Sequence, residues 1–146
     1  MEKTDFSDQK FRRAERLKSK KVIAAMFKTG KSVAAYPLRL VWLENPELRE
    51  SVEAAPFQIT IAVPKKHFKR AVDRNLLRRR TREAFRLYKK NVYAKMPGNQ
   101  HFAWLIMFTA REILEYSEIE RGMKKLMRRF QDAQNAPPPV SKPENP

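Results

Sequence analysis

The chain has 146 residues, with 32 Lys and Arg against 16 Asp and Glu, no Cys, and a formal charge of +16. That length suits one domain, and a hydrophobic fraction of 42% excludes a wholly disordered chain. The lack of cysteine rules out disulfides, thiolate metal sites and cysteine nucleophiles, and no apolar run reaches the roughly 18–20 residues of a membrane span.

Residues 1–13 mix charges with isolated Phe6 and Phe11, show no helical or strand period, and read as a flexible basic arm. No signal-peptide core opens the chain. Ser19 is placed to cap a short helix with Val22, Ile23, Met26 and Phe27 on one side, and Gly30 to end it. Lys31–Ala35 and Leu38–Leu43 follow as short strands across Tyr36-Pro37. In the second of them Leu38, Leu40 and Trp42 alternate with Arg39, Val41 and Leu43. The acidic stretch 44–56 reads as an exposed loop, and FQITIAV (57–63) as the clearest strand, stopped by Pro64. A long helix is expected from about Ala71 to Met96, ended by Pro97-Gly98. FAWLIMFTA (102–110) is apolar nearly throughout, as befits a central strand covered on both faces. Ser117 with Glu120 spells a capping box for a last helix, whose Ile119, Met123, Leu126, Met127 and Phe130 share one face. From Gln131 the chain is Pro-rich and polar, so 131–146 reads as a disordered tail. The order α-β-β-β-α-β-α makes residues 14–130 a single α+β domain, a two-layer sandwich of three helices and a four-stranded sheet.

The charge is concentrated. Lys65 to Lys90 holds twelve Lys and Arg against Asp73 and Glu83, a local charge of +10. On a wheel of about 100° per residue, Arg74, Arg78, Arg82 and Arg86 share one arc with Arg79, Lys89 and Lys90, and Asn75 falls near its middle. Leu76, Leu77, Thr81, Ala84, Leu87 and Tyr88 fill the opposite half, with Phe85 at its border and Arg80 as its one cation. A merely solvated face interleaves signs at i,i+4, whereas like charges at that spacing repel unless a polyanion compensates. Arginine's planar fork suits phosphate oxygens and stacking on exposed bases. A membrane-surface or calmodulin-binding helix fits less well, because the apolar half holds Ala, Thr and Tyr and strands are at hand to cover it. Nucleic acid is the favoured partner.

The spelling KKHFKRAVDRNLLRRRTREAFR (65–86) resembles the signature of the bacterial ribonuclease P protein component, where a strand ends in a Lys-Lys pair and an Arg-Asn-Arg-type motif opens the long helix. RLKSKKVIAAMFKTGKSV (16–33) resembles that family's first helix, with Phe27 in its aromatic position. The likeness spans about residues 16–130. It implies a partner, a large catalytic RNA, and a reaction, removal of the 5′ leader of precursor tRNA. By resemblance the RNA-binding set is Lys65, Lys66, Lys69, Arg70, Arg74, Asn75, Arg78, Arg79, Arg82 and Arg86. Leu76 stands where the motif's third arginine is expected, and Arg79 or Arg80 is the neighbouring cation to compensate. A leader-binding cleft is expected between the first helix and the sheet, at Ile23, Phe27 and Arg39; Ile23 replaces a second family aromatic. Phe27 fits either a stacking role there or a place in the core. The family also implies a left-handed crossover through 58–63, the 71–96 helix and 102–109, against the usual right-handed rule.

No catalytic set of side chains emerges. His67 and His101 lack ligand spacing, and there is no Gly-rich phosphate loop and no HExxH pattern. Glu112, Glu115, Glu118 and Glu120 suit a helix dipole rather than chemistry. Hydrolysis is therefore expected of the RNA subunit with Mg²⁺, in a cytoplasmic particle of one protein and one RNA. The alternative is a structural RNA-binding protein of the ribosome or its assembly. A DNA-architectural role is weaker, for want of helix-turn-helix spacing and a dimer seam.

Overall fold

In chain order the elements are α1 (Lys20–Thr29), β1 (Lys31–Ala35), β2 (Leu38–Glu44), β3 (Phe57–Ala62), α2 (Ala71–Tyr93), β4 (Phe102–Phe108) and α3 (Tyr116–Asn135). They come from a computed structural model that describes residues 16–18, 20–44, 57–94 and 101–135. The expected basic arm, the 45–56 stretch, the Ser19 cap and Pro97-Gly98 lie outside the described residues.

The strands form one sheet in the order β1-β2-β4-β3. β1 and β2 pair antiparallel as a hairpin, β2 and β4 pair antiparallel with Leu40 opposite Ile106, and β3 and β4 pair parallel with Ile59 opposite Trp104. The apolar run of β4 thus occupies an interior position, as its composition requires. Alternation sorts the strand residues into two cores. Leu38, Leu40, Trp42, Ile59, Trp104, Ile106 and Phe108 meet α2 and α3 on one face. Val41, Ala103 and Leu105 meet Leu17, Val22 and Met26 on the other, under α1.

The main core is aromatic. Phe130 of α3 stands edge-on to Trp42, Phe102 and Trp104, with ring centroids 5.1, 5.3 and 4.8 Å away. Such pairs each add about 0.5–1.5 kcal/mol beyond the area they bury. Phe85 of α2 meets the other side of this cluster at Trp104, 5.9 Å between centroids.

The hand of the β3-α2-β4 crossover follows from one hydrogen bond. The Leu17 N–H donates to the Ile59 carbonyl at 2.8 Å, so that carbonyl faces away from β4, while the Ile59 side chain faces α2. For an L-residue with its side chain toward the viewer and the strand running upward, the carbonyl points right. β4 therefore lies to the left with α2 in front. The crossover is left-handed, the rare hand.

Gly30 ends α1 as expected, and two other local expectations change. Gly30 follows α1 and donates to the Met26 carbonyl at 2.9 Å, but it has no positive φ. Its lack of a side chain serves close approach instead: a Cβ would stand 2.3 Å from the Met26 oxygen and 2.9 Å from Val41 Cγ1. Ser117 is no N-cap, because α3 already begins at Tyr116 and the Glu118 and Ile119 N–H groups donate to the Glu115 carbonyl. α3 also continues through Gln131 to Asn135, since no proline interrupts it before Pro137.

Candidate nucleic-acid interface

A basic connector runs from the end of β3 into α2, with Lys65, Lys66, Lys69 and Arg70 all exposed. Phe68 turns inward, edge-on to Phe108 at 5.7 Å, and anchors the connector. Arg70 holds an extended backbone at the helix start without a side-chain cap. Arg74 supplies the missing brace: its Nη1 donates to the carbonyls of Phe68 at 2.8 Å and Lys69 at 2.9 Å. This guanidinium is half-buried and shapes the connector, a more structural task than its motif position implies.

The roll of α2 differs from the wheel. Its buried stripe is Leu77, Thr81, Ala84, Phe85, Lys89 and Val92, so the core direction lies between Thr81 and Val92, about 70° from the centre of the apolar half drawn at 100° per residue. Lys89, placed on the cationic arc by the wheel, is wholly buried. Phe85 decides this. It is the largest apolar side chain on the helix face, and sinking it against Trp104 gains more than burying Leu76 or Leu87, which stay half-buried.

The flank that remains outward carries Asn75, Arg79, Arg82 and Lys90, all exposed, with Arg78 half-buried at its border and Arg86 half-buried within it. Arg78 Nη1 donates to Asn75 Oδ1 at 2.9 Å, which orders both. Val72, Asn75, Leu76, Arg78, Arg79 and Arg82 line an open depression of about 460 Å³ together with Asp73. Leu76 is thus its apolar floor, not a lost cation. Of its neighbours, Arg79 faces this depression, whereas Arg80 turns away and donates to the Leu114 carbonyl at 2.5 Å. Of the two neighbours, Arg79 alone stands beside Leu76 on this depression.

Arg86 differs from the rest. It grips Glu83 with two hydrogen bonds, one from Nε at 3.0 Å and one from Nη2. Those bonds and the adjacent positive charge hold the Glu83 carboxyl below the usual carboxylate range. One cation of the flank is therefore tied by the protein itself.

On the opposite sheet face, α1 buries Val22 and Met26 and half-buries Ile23. Phe27, one turn beyond Ile23, is 65% exposed, so it is not a core aromatic. Arg39 is exposed on the same sheet face, its Nη2 donating to Ser32 Oγ at 3.1 Å. Val41 is buried packing. Neither histidine joins a metal-binding cluster among the described residues.

Fold and surface together define a small basic α+β protein of the nucleic-acid-binding kind, with its cations on a connector and one helix flank. The chain matches the family described as Ribonuclease P over residues 11–131. It is 35% identical over 133 residues to the ribonuclease P protein component of Porphyromonas gingivalis strain ATCC 33277, covering 90% of this chain and 93% of that one. Against the protein component of Picosynechococcus sp. strain PCC 7002 it is 31% identical over 112 residues, 77% of this chain and 86% of the other. Among solved structures it is similar to the Staphylococcus aureus RNase P protein, with a TM-score of 0.63 at 20% identity over 80% and 95% of the two chains. The RNase P protein from Thermotoga maritima gives 0.60 at 22% over 79% and 96%. The chain belongs to the ribonuclease P protein family, and its role is that of the protein component of this endoribonuclease. The structural ribosomal reading is not favoured.

Proposed function

We propose that the protein binds the catalytic RNA of ribonuclease P through the 65–70 connector and the outward flank of α2, and holds the 5′ leader of precursor tRNA over α1. The observation that carries this is the exposed cluster of Asn75, Arg79 and Arg82 around the depression on α2, reinforced by the four exposed connector cations. Forked guanidiniums there make charge-assisted contacts to phosphate oxygens and release condensed counterions, which stabilises a folded RNA that would otherwise need more metal ion. Phe27 offers an exposed ring on which an unpaired leader base stacks, with Arg39 supplying a nearby cation on the same sheet face.

The chain's share is binding and orientation. Among the described residues no group of three or more His, Asp or Glu side chains is placed to hold a metal ion, and we assign Mg²⁺ and the hydrolytic step to the RNA. No described helix is long and apolar enough to cross a membrane. A cytoplasmic particle of one protein and one RNA completes the proposal.

Two variants divide the surfaces. Arg79→Ala with Arg82→Ala is expected to weaken binding of ribonuclease P RNA and to lower its salt slope by about one per lost contact. Phe27→Ala is expected to leave assembly intact and to weaken precursor binding by the assembled particle by about 1–3 kcal/mol. Equal losses from both variants in both titrations would refute the division into two surfaces.

A further inference from the structure

The cations of α3 have no part in that proposal. Arg121, Lys124, Lys125, Arg128 and Arg129 are all exposed, opposite the buried Ile119, Met123, Leu126 and Phe130. Among the described residues Arg121, Lys125 and Arg128 have no ion-pair partner. Glu118 and Asp132, both exposed, flank the strip at its two ends. The spelling RGMKKLMRR carried this strip in the sequence, hidden behind the apolar face that shares the same residues' spacing.

Contacts along β1 join this strip to the α1 side of the sheet. Among the described residues β1 is an edge strand of the sheet. From the α1 side, Arg39 Nη2 reaches Ser32 Oγ of β1 at 3.1 Å. From the α3 side, the Arg129 guanidinium donates to the Ala34 carbonyl of the same strand. A cation is therefore fixed against each side of the edge. At the end of β1 stands Tyr36, 69% exposed, its carbonyl oxygen 2.8 Å from where a Gly122 Cβ would lie. The turn is held firmly, since the Pro37 carbonyl accepts from both Thr109 N at 2.8 Å and Thr109 Oγ1 at 3.0 Å. An aromatic face on a fixed turn beside a row of cations is the combination that binds single-stranded nucleic acid.

We propose that the outer face of α3, with Tyr36, is a second RNA track that takes the upstream part of the single-stranded leader after it leaves α1 and passes the β1 edge. This rests on the assignment of the leader to the α1 face. Arg121, Lys125 and Arg128 meet successive phosphates, and Tyr36 stacks on one base. The α2 flank and this track then hold different RNA segments.

The test uses the assembled particle and two precursor tRNAs, one with a short leader that ends over α1 and one with a long single-stranded leader. With the wild-type protein the long leader is expected to bind at least about tenfold more tightly at physiological salt, from three added phosphate contacts. In the variant Arg121→Gln/Lys125→Gln/Arg128→Gln that gain disappears and the short leader binds as before. The salt slope for the long leader then falls by about 2, at roughly 0.7 per contact on a single strand. Tyr36→Ala removes part of the same gain. The substituted α3 side chains are exposed, and a cooperative melt at a temperature no lower than that of the wild type confirms that the variant folds. The proposal is overturned if the wild type shows no gain, if the triple variant keeps it, or if the variant weakens both leaders equally. Phe27→Ala, read with the short leader, reports on the α1 assignment separately.

Discussion

Gly122 shows how tightly α3 is seated on the hairpin. A Cβ there would stand 2.6 Å from Pro37 Cδ and 2.8 Å from the Tyr36 carbonyl oxygen. Alanine improves helix propensity by about 1 kcal/mol, yet overpacking against a backbone oxygen costs about 1–3 kcal/mol. The neighbour is main chain held by Thr109, not the free tip of a flexible side chain, so strain wins. Gly122→Ala is expected to lower stability by about 1–2 kcal/mol in urea titration, and a stabilised variant would show that the turn yields. Nothing in the RGM spelling reveals this, because the partner of Gly122 is far away in sequence. Phe27 was ambiguous for a related reason. Its spacing permits a core position, and only the packing of Val22 and Met26 beneath α1 leaves its ring outside.

At the scale of the element, α2 is where sequence and structure part most usefully. The long basic helix was legible from composition, period and the proline stop before it. Its roll was not, because a wheel weighs Leu76 and Phe85 by angle and ignores which of them finds a complementary partner in the sheet. The observed roll buries Lys89, braces the connector with Arg74 and turns Arg79 outward. It also leaves Glu83 beside Arg86 on the half-exposed border. A carboxyl whose folded pKa is depressed contributes stability above its unfolded pKa and loses it as pH falls through the folded value, here below the ordinary carboxylate range. At neutral pH the pair is therefore complete and Arg86 is occupied. Glu83→Gln is expected to cost at most about 1 kcal/mol of stability, as for a surface pair, while tightening RNA binding by releasing Arg86. Filter-binding titrations at neutral pH check this, and weaker RNA binding by the variant would mean that Glu83 positions Arg86 for its contact.

For the whole molecule, a charge of +16 sets stability against function. Unscreened cations repel in the free protein, and the same field attracts RNA from a distance. Raising monovalent salt from about 50 to 200 mM is expected to raise the melting temperature of the free protein while lowering its RNA affinity by orders of magnitude. Thermal melts and RNA titrations in matched buffers read the two trends, and a parallel rise or fall of both would contradict this account. The left-handed crossover belongs to the same scale. It puts α2 against β3 with its cationic flank turned from α3, so the helical layer presents cations in two separate directions.

Element order, the interior position of β4, the alternation of β2 and the local density of charge were all present in the residues themselves, because each depends on period, composition or neighbours within a few positions. The roll of α2, the seat of Gly122, the exposure of Phe27 and the hand of the crossover were decided by tertiary packing. Each turns on which of two locally equivalent faces meets a partner from a distant segment, and a local pattern carries no information about that partner's shape.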